Sequence, residues 1–242
     1  MGMTGFTTQV GRSLWRIILA MVMLAVATPS SAGEFLHLIS FSGFDYESDG
    51  SGGTDPTPDS LLAVGDTYEV LGIVHAFGGE LEALADFGSY QYTVVLSGLT
   101  VVHRSSYLYF MNAVMAPGRM DVDRDPLAGG TAADFGVDPR GAARASFTDG
   151  ELVLSAPVTE FNLTFNQSTH DGIWDSSAEA DAGSWLGELL PTLCTMSSAG
   201  QIGIAGVEVP GGYGHAVEGV YTRVCGFPVR PETWGGLKSL YR

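Results

Sequence analysis

The sequence predicts an all-β fold, an antiparallel β-sandwich, from three observations. Apolar and β-branched residues form many short runs, and the stretch from Thr67 to His103 has the pattern of two paired strands with a turn at Gly78-Gly79. Phe161, Leu163 and Phe165 alternate with polar residues, which is the period of a half-buried strand. The chain also contains 33 glycines and almost no long helical period. An OB-like β-barrel with added strands is the alternative architecture.

The first 32 residues are predicted to be a secretory signal peptide. Arg12 and Arg16 precede an apolar run from Ile17 to Ala27, and small residues follow at Ser30 and Ala32, where cleavage is expected. The apolar run is shorter than the roughly 20 residues that span a bilayer, so we expect no transmembrane anchor after cleavage. The predicted location is therefore secreted, or periplasmic and cell envelope.

The rest of the chain is predicted to be one domain with appendages. Residues 33–230 are expected to form a single β-rich domain, and residues 231–242 a C-terminal tail. Turn-forming and acidic residues predict an exposed acidic loop at 44–60. Short helices are expected near 184–190 and near 233–241.

Further strands are predicted from apolar runs in the middle of the chain. These runs lie at Tyr107 to Met111, at Arg119 to Val122 and at Ala145 to Phe147. The stretch from Asp125 to Pro139 is rich in glycine and proline and predicts a long turn-rich connection.

The charge of the chain excludes nucleic acid as a predicted partner. The chain has 27 acidic and 11 basic residues, and its formal net charge is −16 at pH 7. Removal of residues 1–32 takes away two arginines and no acids, which leaves −18. A charge of this size repels phosphate backbones and anionic lipid surfaces. The charge does not exclude a protein or a glycan as partner.

Cys194 and Cys225 are the only cysteines of the sequence. In the oxidising compartment that a signal peptide implies, they are expected to form one disulfide. Closing a loop of about 30 residues would stabilise the fold by about 3.7 kcal/mol in the chain-entropy model. Two unpaired buried thiols are the alternative.

Alternate carboxylates at Asp121, Asp123 and Asp125 are the sharpest candidate for a binding site. Calcium loops begin with a similar alternation. Further oxygen ligands could come from Asp134, or from Asp45, Glu47 and Asp49 of the other acidic loop. Pro126 lies where an EF-hand loop has its glycine, which excludes a true EF-hand. Calcium, at a site that is not an EF-hand, is therefore the one cofactor that the sequence suggests. Solvated acidic loops are the alternative interpretation.

No residue is predicted to be catalytic. The five histidines lack H-x-x-x-H and H-x-H spacing, and His170-Asp171 has no G-x-S-x-G segment to pair with. A glycosidase needs two carboxylates at a set separation, and among 27 acids some pair can always be imagined. Trp174, Trp185 and Tyr213 could stack on a sugar ring, but plugging the ends of the fold is the favoured interpretation.

Three segments carry a resemblance to other proteins: Tyr68-Glu69-Val70, Asp125 to Val137, and Ser146 to Leu152. In these segments the chain resembles a group of uncharacterised exported bacterial β-rich proteins. The resemblance implies an extracytoplasmic β fold, with no assigned activity, cofactor or catalytic residue. Residues Trp234 to Arg242 look like a short basic and aromatic tail of other exported bacterial proteins, which would be a docking or sorting element or a helix packed on the domain.

These observations together predict an exported, non-catalytic structural or interaction module of the bacterial envelope or exterior. A calcium- or carbohydrate-binding module is the first alternative, and a secreted hydrolase is the second. The working surface is expected in the loops from Asp121 to Asp134 and not on the strands.

Overall fold

A computed structural model describes residues 35–48, 62–130, 132–136, 138–189 and 194–225. These residues belong to one compact unit, Glu34–Arg242, and contain nine antiparallel strands in one sheet. The strands are β1 (Phe35–Ser48), β2 (Thr67–Phe77), β3 (Tyr90–Tyr107), β4 (Phe110–Met115), β5 (Gly118–Pro126), β6 (Glu151–Asn166), β7 (Asp171–Ala178), β8 (Cys194–Ile202) and β9 (Ala216–Cys225). Two short helices, α1 (Ala142–Phe147) and α2 (Leu186–Leu189), and a 3-10 turn at Gly79–Leu81 complete the described elements.

The sheet closes into a barrel. Strands β1, β2 and β3 pair in succession, strands β6 to β9 do the same, and β9 returns to β1. Strands β4 and β5 lie end to end between β3 and β6. The first halves of β3 and β6 pair with β5, and their second halves pair with β4. The ring therefore has eight positions, and β4 is a ninth strand that continues the position of β5.

The prediction of an all-β antiparallel fold is confirmed. The described strand pairs form a closed barrel, and they do not show the two separate sheets of the predicted sandwich. Closure is possible because β3 has 18 residues and β6 has 16, so each can bend and pair with different partners along its length. The alternative of an OB-like β-barrel with added strands is confirmed as far as the closed barrel, whereas an OB arrangement within the ring of eight positions is not shown.

The interior of the barrel is filled by side chains. Alternate residues of the strands point inward and form the main apolar cluster. Trp174 stacks on Phe161 with ring centroids 5.2 Å apart, and Phe41 lies 6.1 Å from the Trp174 ring on another side. Gly200 and Gly219 leave space for this indole ring, because a Cβ on either residue would collide with it. A ring of eight strands is just wide enough for such filling.

One end of the barrel is covered by aromatic side chains and short helical elements. Trp185, beside α2, makes edge-to-face contact with Phe77 at 5.2 Å and lies 5.6 Å from Tyr92. Leu81 of the 3-10 turn is fully buried. We call this region the covered end. It confirms the predicted helix near 184–190 and the predicted plugging role of Trp185.

A second apolar cluster lies on the outside of the barrel. Tyr46, Leu71 and Val95 point outward from β1, β2 and β3 and pack against Phe147 of α1 and Tyr213 of the loop between β8 and β9. The segment that contains α1 therefore covers part of the outer barrel surface. The strand predicted at Ala145 to Phe147 is wrong, because these residues belong to α1.

Three other expectations concern segments at or near the limits of the described chain. Strand β1 extends to Ser48, so the predicted acidic loop 44–60 begins later than expected, and Asp45 is fully buried within β1. Residues 49–60 of that loop lie outside the described residues. The tail at 231–242, with its predicted helix at 233–241, also lies outside them.

Candidate functional site

A run of four exposed apolar side chains forms the tip of the β3–β4 hairpin. Tyr107 and Leu108 are each 75% exposed, Tyr109 is 64% exposed and Phe110 is 48% exposed. Tyr107 pairs with Phe110 across the hairpin, so Leu108 and Tyr109 form a two-residue turn. We call Tyr107–Phe110 the apolar tip. The strand predicted at Tyr107 to Met111 is therefore interrupted, because the chain reverses direction at this point.

The turn of the apolar tip is not made from ordinary turn residues. Leu108 has a φ of 54°, in the left-handed region that glycine and asparagine adopt most readily. A branched apolar residue in this region costs about 1–2 kcal/mol of backbone strain. Chain reversal alone would therefore favour a different residue at position 108.

The hairpin is free of acidic residues although the chain is strongly acidic. No Asp or Glu occurs between Asp86 and Asp121, and Arg104 is the one Lys or Arg in that interval before Arg119. In the folded sheet, Phe110 of the tip pairs with Asn166 of β6, and Asn166 pairs with Asp171 of β7. Asp171 is therefore the acid that lies next to the tip along the sheet.

The three predicted calcium ligands of the strand lie together on the outer face of β5. Asp121, Asp123 and Asp125 are paired with Val95, Thr93 and Gln91 of β3. Asp123 and Asp125 are each only 5% exposed. The alternative interpretation as solvated loops does not hold for these residues, because all three belong to β5, Asp123 and Asp125 are buried, and Asp121 is partly exposed.

The carboxylates of this row repel one another. The pKa of Asp123 is raised to about 7, first by burial and then by the charges of Asp121, Asp125 and Asp149. The pKa of Asp125 is raised by burial and by Asp149. The Oδ2 atom of Asp125 is buried and makes no hydrogen bond to the described residues. We call Asp121, Asp123, Asp125 and Asp149 the acidic row.

Asp149 was not predicted as a member of this group, and Asp134 is not among the charges that act on Asp123. Asp134 is exposed in the connection before α1, where its backbone N–H donates to the Ser146 hydroxyl at 3.0 Å. Within the described part of the chain, no three Asp, Glu, His or Cys residues are arranged to hold a metal ion. The spacing explains this, because alternate residues of a strand are about 6.6 Å apart.

The arginines near the acidic row are directed to flanking acids. Arg119 lies 3.4 Å from Asp121 but makes a closer contact of 2.5 Å with Asp181. Arg124 pairs with Glu151 at 2.5 Å. Asp123 therefore receives little compensation for its buried charge.

A buried ion pair joins β1 to the loop before β9. Asp45 accepts a hydrogen bond from the backbone N–H of His215 at 2.5 Å, and the His215 ring nitrogen Nδ1 lies 3.3 Å from its other oxygen. Burial lowers the pKa of His215, but the hydrogen bond and charge of Asp45, with the charge of Glu47, outweigh burial, so the pKa is raised. Burial, and then the charges of the same two acids, raise the pKa of Tyr68 well above its ordinary value.

Trp174, Trp185 and Tyr213, for which a sugar-stacking platform is the less favoured interpretation, are all buried. Trp174 is 2% exposed, and Trp185 and Tyr213 are each 6% exposed. Trp174 fills the barrel interior, Trp185 covers one end, and Tyr213 packs in the outer cluster. None of the three rings offers a free face for stacking.

The two cysteines occupy directly opposed positions at the ends of β8 and β9. Cys194 is the backbone partner of Cys225 in the antiparallel register. Opposed residues in such a pair have Cα atoms about 4.5–5.5 Å apart, which is within the range that a disulfide bridges. Their side chains lie outside the described residues, so the disulfide stays a prediction that this register favours.

Comparison with known proteins adds no relative. No protein-family model, no curated protein and no solved structure matches the chain. The resemblance to exported β-rich proteins therefore stays a prediction. Among the described residues, no helix is both long and apolar enough to cross a membrane.

Proposed function

We propose that the chain is an exported, non-catalytic interaction barrel of the bacterial envelope or exterior, and that the apolar tip is its attachment surface. The observation that carries this proposal is the exposure of four consecutive apolar side chains at Tyr107–Phe110. Exposed apolar patches on soluble domains are typical of interaction sites. The position of the tip at a projecting turn makes it accessible to a partner.

The packed interior supports an interaction role over the carriage of a small ligand. Trp174, Phe161 and Phe41 occupy the centre of the barrel and contact one another. A ligand in this space would have to displace side chains that are at most 2% exposed. Closely packed interiors do not admit guests without such rearrangement.

The composition of the tip also supports attachment. Leu108 keeps a strained left-handed conformation where glycine would be relaxed. Its side chain contributes little to the packing of the barrel, because 75% of its surface is exposed. A role outside the fold explains a large apolar residue at this position.

Cell fractionation tests both parts of the proposal. The full chain is expressed in a bacterial host with two membranes, and the cytoplasmic, periplasmic, envelope and medium fractions are probed. We expect a product shortened by cleavage after Ala32, outside the cytoplasm, with a part of it in the envelope fraction. In the double variant Leu108→Asp, Tyr109→Asp, the exported product should move to the soluble fractions, because the apolar contact is lost.

Leu127→Asp is the matched control for this experiment. Leu127 is 55% exposed and follows β5 at the opposite end of the barrel from the tip. Its substitution should leave the distribution unchanged. An uncleaved product that stays in the cytoplasm would contradict export, and a double variant that fractionates like the wild type would contradict attachment through the tip.

A second candidate function is calcium binding at the acidic row, with Asp149 in the place expected for Asp134. The supporting observation is the Oδ2 atom of Asp125, which is buried without a hydrogen bond to the described residues, beside Asp123, whose pKa is raised. A cation would relieve this repulsion after a side-chain rearrangement. At a calcium concentration 100 times the Kd, binding adds about 2.7 kcal/mol, or roughly 5–10 °C in Tm.

The calcium test compares the wild type with Asp123→Ala in differential scanning fluorimetry. Calcium should raise the Tm of the wild type and leave that of the variant unchanged, and magnesium serves as the ion control. A wild-type Tm that does not respond to millimolar calcium would exclude this second candidate.

A further inference from the structure

We propose that the apolar tip inserts into the lipid–water interface of a membrane with neutral, zwitterionic headgroups. This inference rests on the proposed function and names the kind of surface to which the tip attaches. Four features of the β3–β4 hairpin carry it: its convex shape, its partly hydrogen-bonded backbone, its lack of acidic residues and its small apolar area.

The shape of the tip suits a deformable partner. Leu108 and Tyr109 lie at a two-residue turn and project beyond the last strand pair, Tyr107 with Phe110. A protein partner would need a pocket shaped to this projection. A lipid interface adapts to it without a preformed pocket, and tyrosine and phenylalanine are residues that favour the headgroup region.

Part of the backbone of the tip is hydrogen-bonded, which lowers the cost of entering a lipid environment. A carbonyl or N–H group without a hydrogen bond costs several kcal/mol in hydrocarbon. The carbonyl of Tyr109 accepts a hydrogen bond from the backbone N–H of Gln167 at 2.7 Å. Tyr107 and Phe110 are paired across the hairpin. The turn can therefore enter an apolar layer without leaving the Tyr109 carbonyl unsatisfied.

The negative charge of the chain favours binding to neutral lipid over anionic lipid. With a net charge of −16, the protein as a whole is repelled by anionic headgroups. The hairpin itself has no acid between Asp86 and Asp121, and Asp171 lies two strands away at the same end of the barrel. Insertion should therefore depend on apolar transfer and should not need anionic lipid.

The apolar area of the tip argues against a second copy of the chain as occupant. Four side chains of this size expose on the order of 500 Å² at the stated exposures. A stable protein interface buries about 800 Å² on each partner. Two convex tips also cannot enclose each other, whereas an interface of lipid headgroups and acyl chains surrounds a single tip completely.

Vesicle flotation tests the inference with purified chain that begins at Glu34. This unit contains all nine strands and both apolar clusters, and it lacks the apolar leader, which would itself bind lipid. With phosphatidylcholine vesicles, we expect the wild type to float with the lipid. Leu108→Asp should lower the partition coefficient by at least about tenfold, since one buried leucine is worth about 1.5–3 kcal/mol.

Two comparisons complete the flotation experiment. Leu127→Asp, at the opposite end of β3, should float like the wild type, and circular dichroism checks that each variant is folded. Raising sodium chloride from 0.1 to 0.5 M should not reduce binding, because apolar transfer is not screened by salt.

The inference is overturned if the wild type does not float with phosphatidylcholine, or if Leu108→Asp floats equally well. It is also overturned if binding needs anionic lipid and disappears in salt, or if light scattering shows a dimer that the tip variant converts to a monomer. In any of these cases, envelope association that still depends on the tip in cells would leave the proposed function intact and point to a protein partner.

Discussion

The buried carboxylate of Asp123 gives a quantitative prediction for the variant Asp123→Asn. Asparagine has nearly the same shape and carries no charge. The pKa of Asp123 is raised from its ordinary 3.8 to about 7 by burial and by Asp121, Asp125 and Asp149. Each pKa unit corresponds to 1.36 kcal/mol, so the ionised form costs the folded state up to about 4 kcal/mol.

The sign of the pH dependence follows from the direction of the change in pKa. The folded state holds the proton of Asp123 more tightly than the unfolded state does. The protonated group therefore gives full stability below pH 3.8, and this stability is lost as pH rises to about 7. The cost at pH 5 is about 1.6 kcal/mol, against about 4 kcal/mol at pH 8. The gain from Asp123→Asn should thus be larger at pH 8 by about 2.5 kcal/mol.

Urea unfolding measures this difference. The free energies of unfolding of the wild type and Asp123→Asn are compared at pH 5 and pH 8, in EDTA so that no cation screens the acidic row. Asp175→Asn is the control, because it removes the same charge from an exposed position on β7. A gain that is equal at the two pH values, or an Asp123→Asn protein that is less stable at pH 8, would refute the account of the acidic row.

The remaining predictions concern the buried ion pair, the barrel interior and the cysteines. His215→Gln should lower the free energy of unfolding by more at pH 6 than at pH 8, because the pKa of His215 is raised and its pairing with Asp45 is lost as pH rises through that value. Urea unfolding at both pH values checks this, and equal losses would contradict it. Gly219→Ala should cost about 1–3 kcal/mol, because a Cβ there collides with Trp174, whereas Gly187→Ala has open space and should be neutral in the same unfolding assay. Cys225→Ser should lower the Tm by about as much as reduction of the wild type does, and a wild type whose Tm ignores reductant would show that no disulfide forms.

The strands of the barrel could be predicted where the sequence alternates or is strongly β-branched. The pairing of β2 with β3 and the inward row of Phe161, Leu163 and Phe165 both follow from such patterns. The closed ring could be predicted only as an alternative to the sandwich, because closure depends on which strand meets β1. The strand that pairs with β1 is β9, which is distant from it in sequence. The residues of β9 do not indicate which strand they pair with.

The buried polar sites could not be predicted for a related reason. Asp45 belongs to a segment of turn-forming and acidic residues, which by itself is typical of an exposed loop. Asp45 is buried because Gly214 and His215, which are distant in sequence, lie against it and donate hydrogen bonds to it. A weak signal was present, because Phe41, Gly43 and Asp45 continue one inward alternation of β1.

Two further features could not be predicted from sequence patterns: the cover over the acidic row and the chain reversal at the apolar tip. The alternation of Asp121, Asp123 and Asp125 is visible in the sequence, but the residues that cover it belong to the later segment that contains α1 and Asp149. The run from Tyr107 to Met111 has the composition of a strand. Nothing in it marks a reversal, because Leu108 replaces the glycine or asparagine that usually signals a hairpin turn.

The insertion of the tip into lipid can be measured most directly by the fluorescence of Tyr109→Trp. Phosphatidylcholine vesicles with brominated acyl chains quench an indole that enters the apolar layer. The chain from Glu34 also contains Trp174, Trp185 and Trp234, so the unsubstituted chain supplies the background emission that is subtracted. We predict a shift to shorter wavelength and quenching for Tyr109→Trp, and no change for Leu127→Trp. An emission spectrum of Tyr109→Trp that vesicles leave unchanged would contradict attachment of the barrel to lipid through its apolar tip.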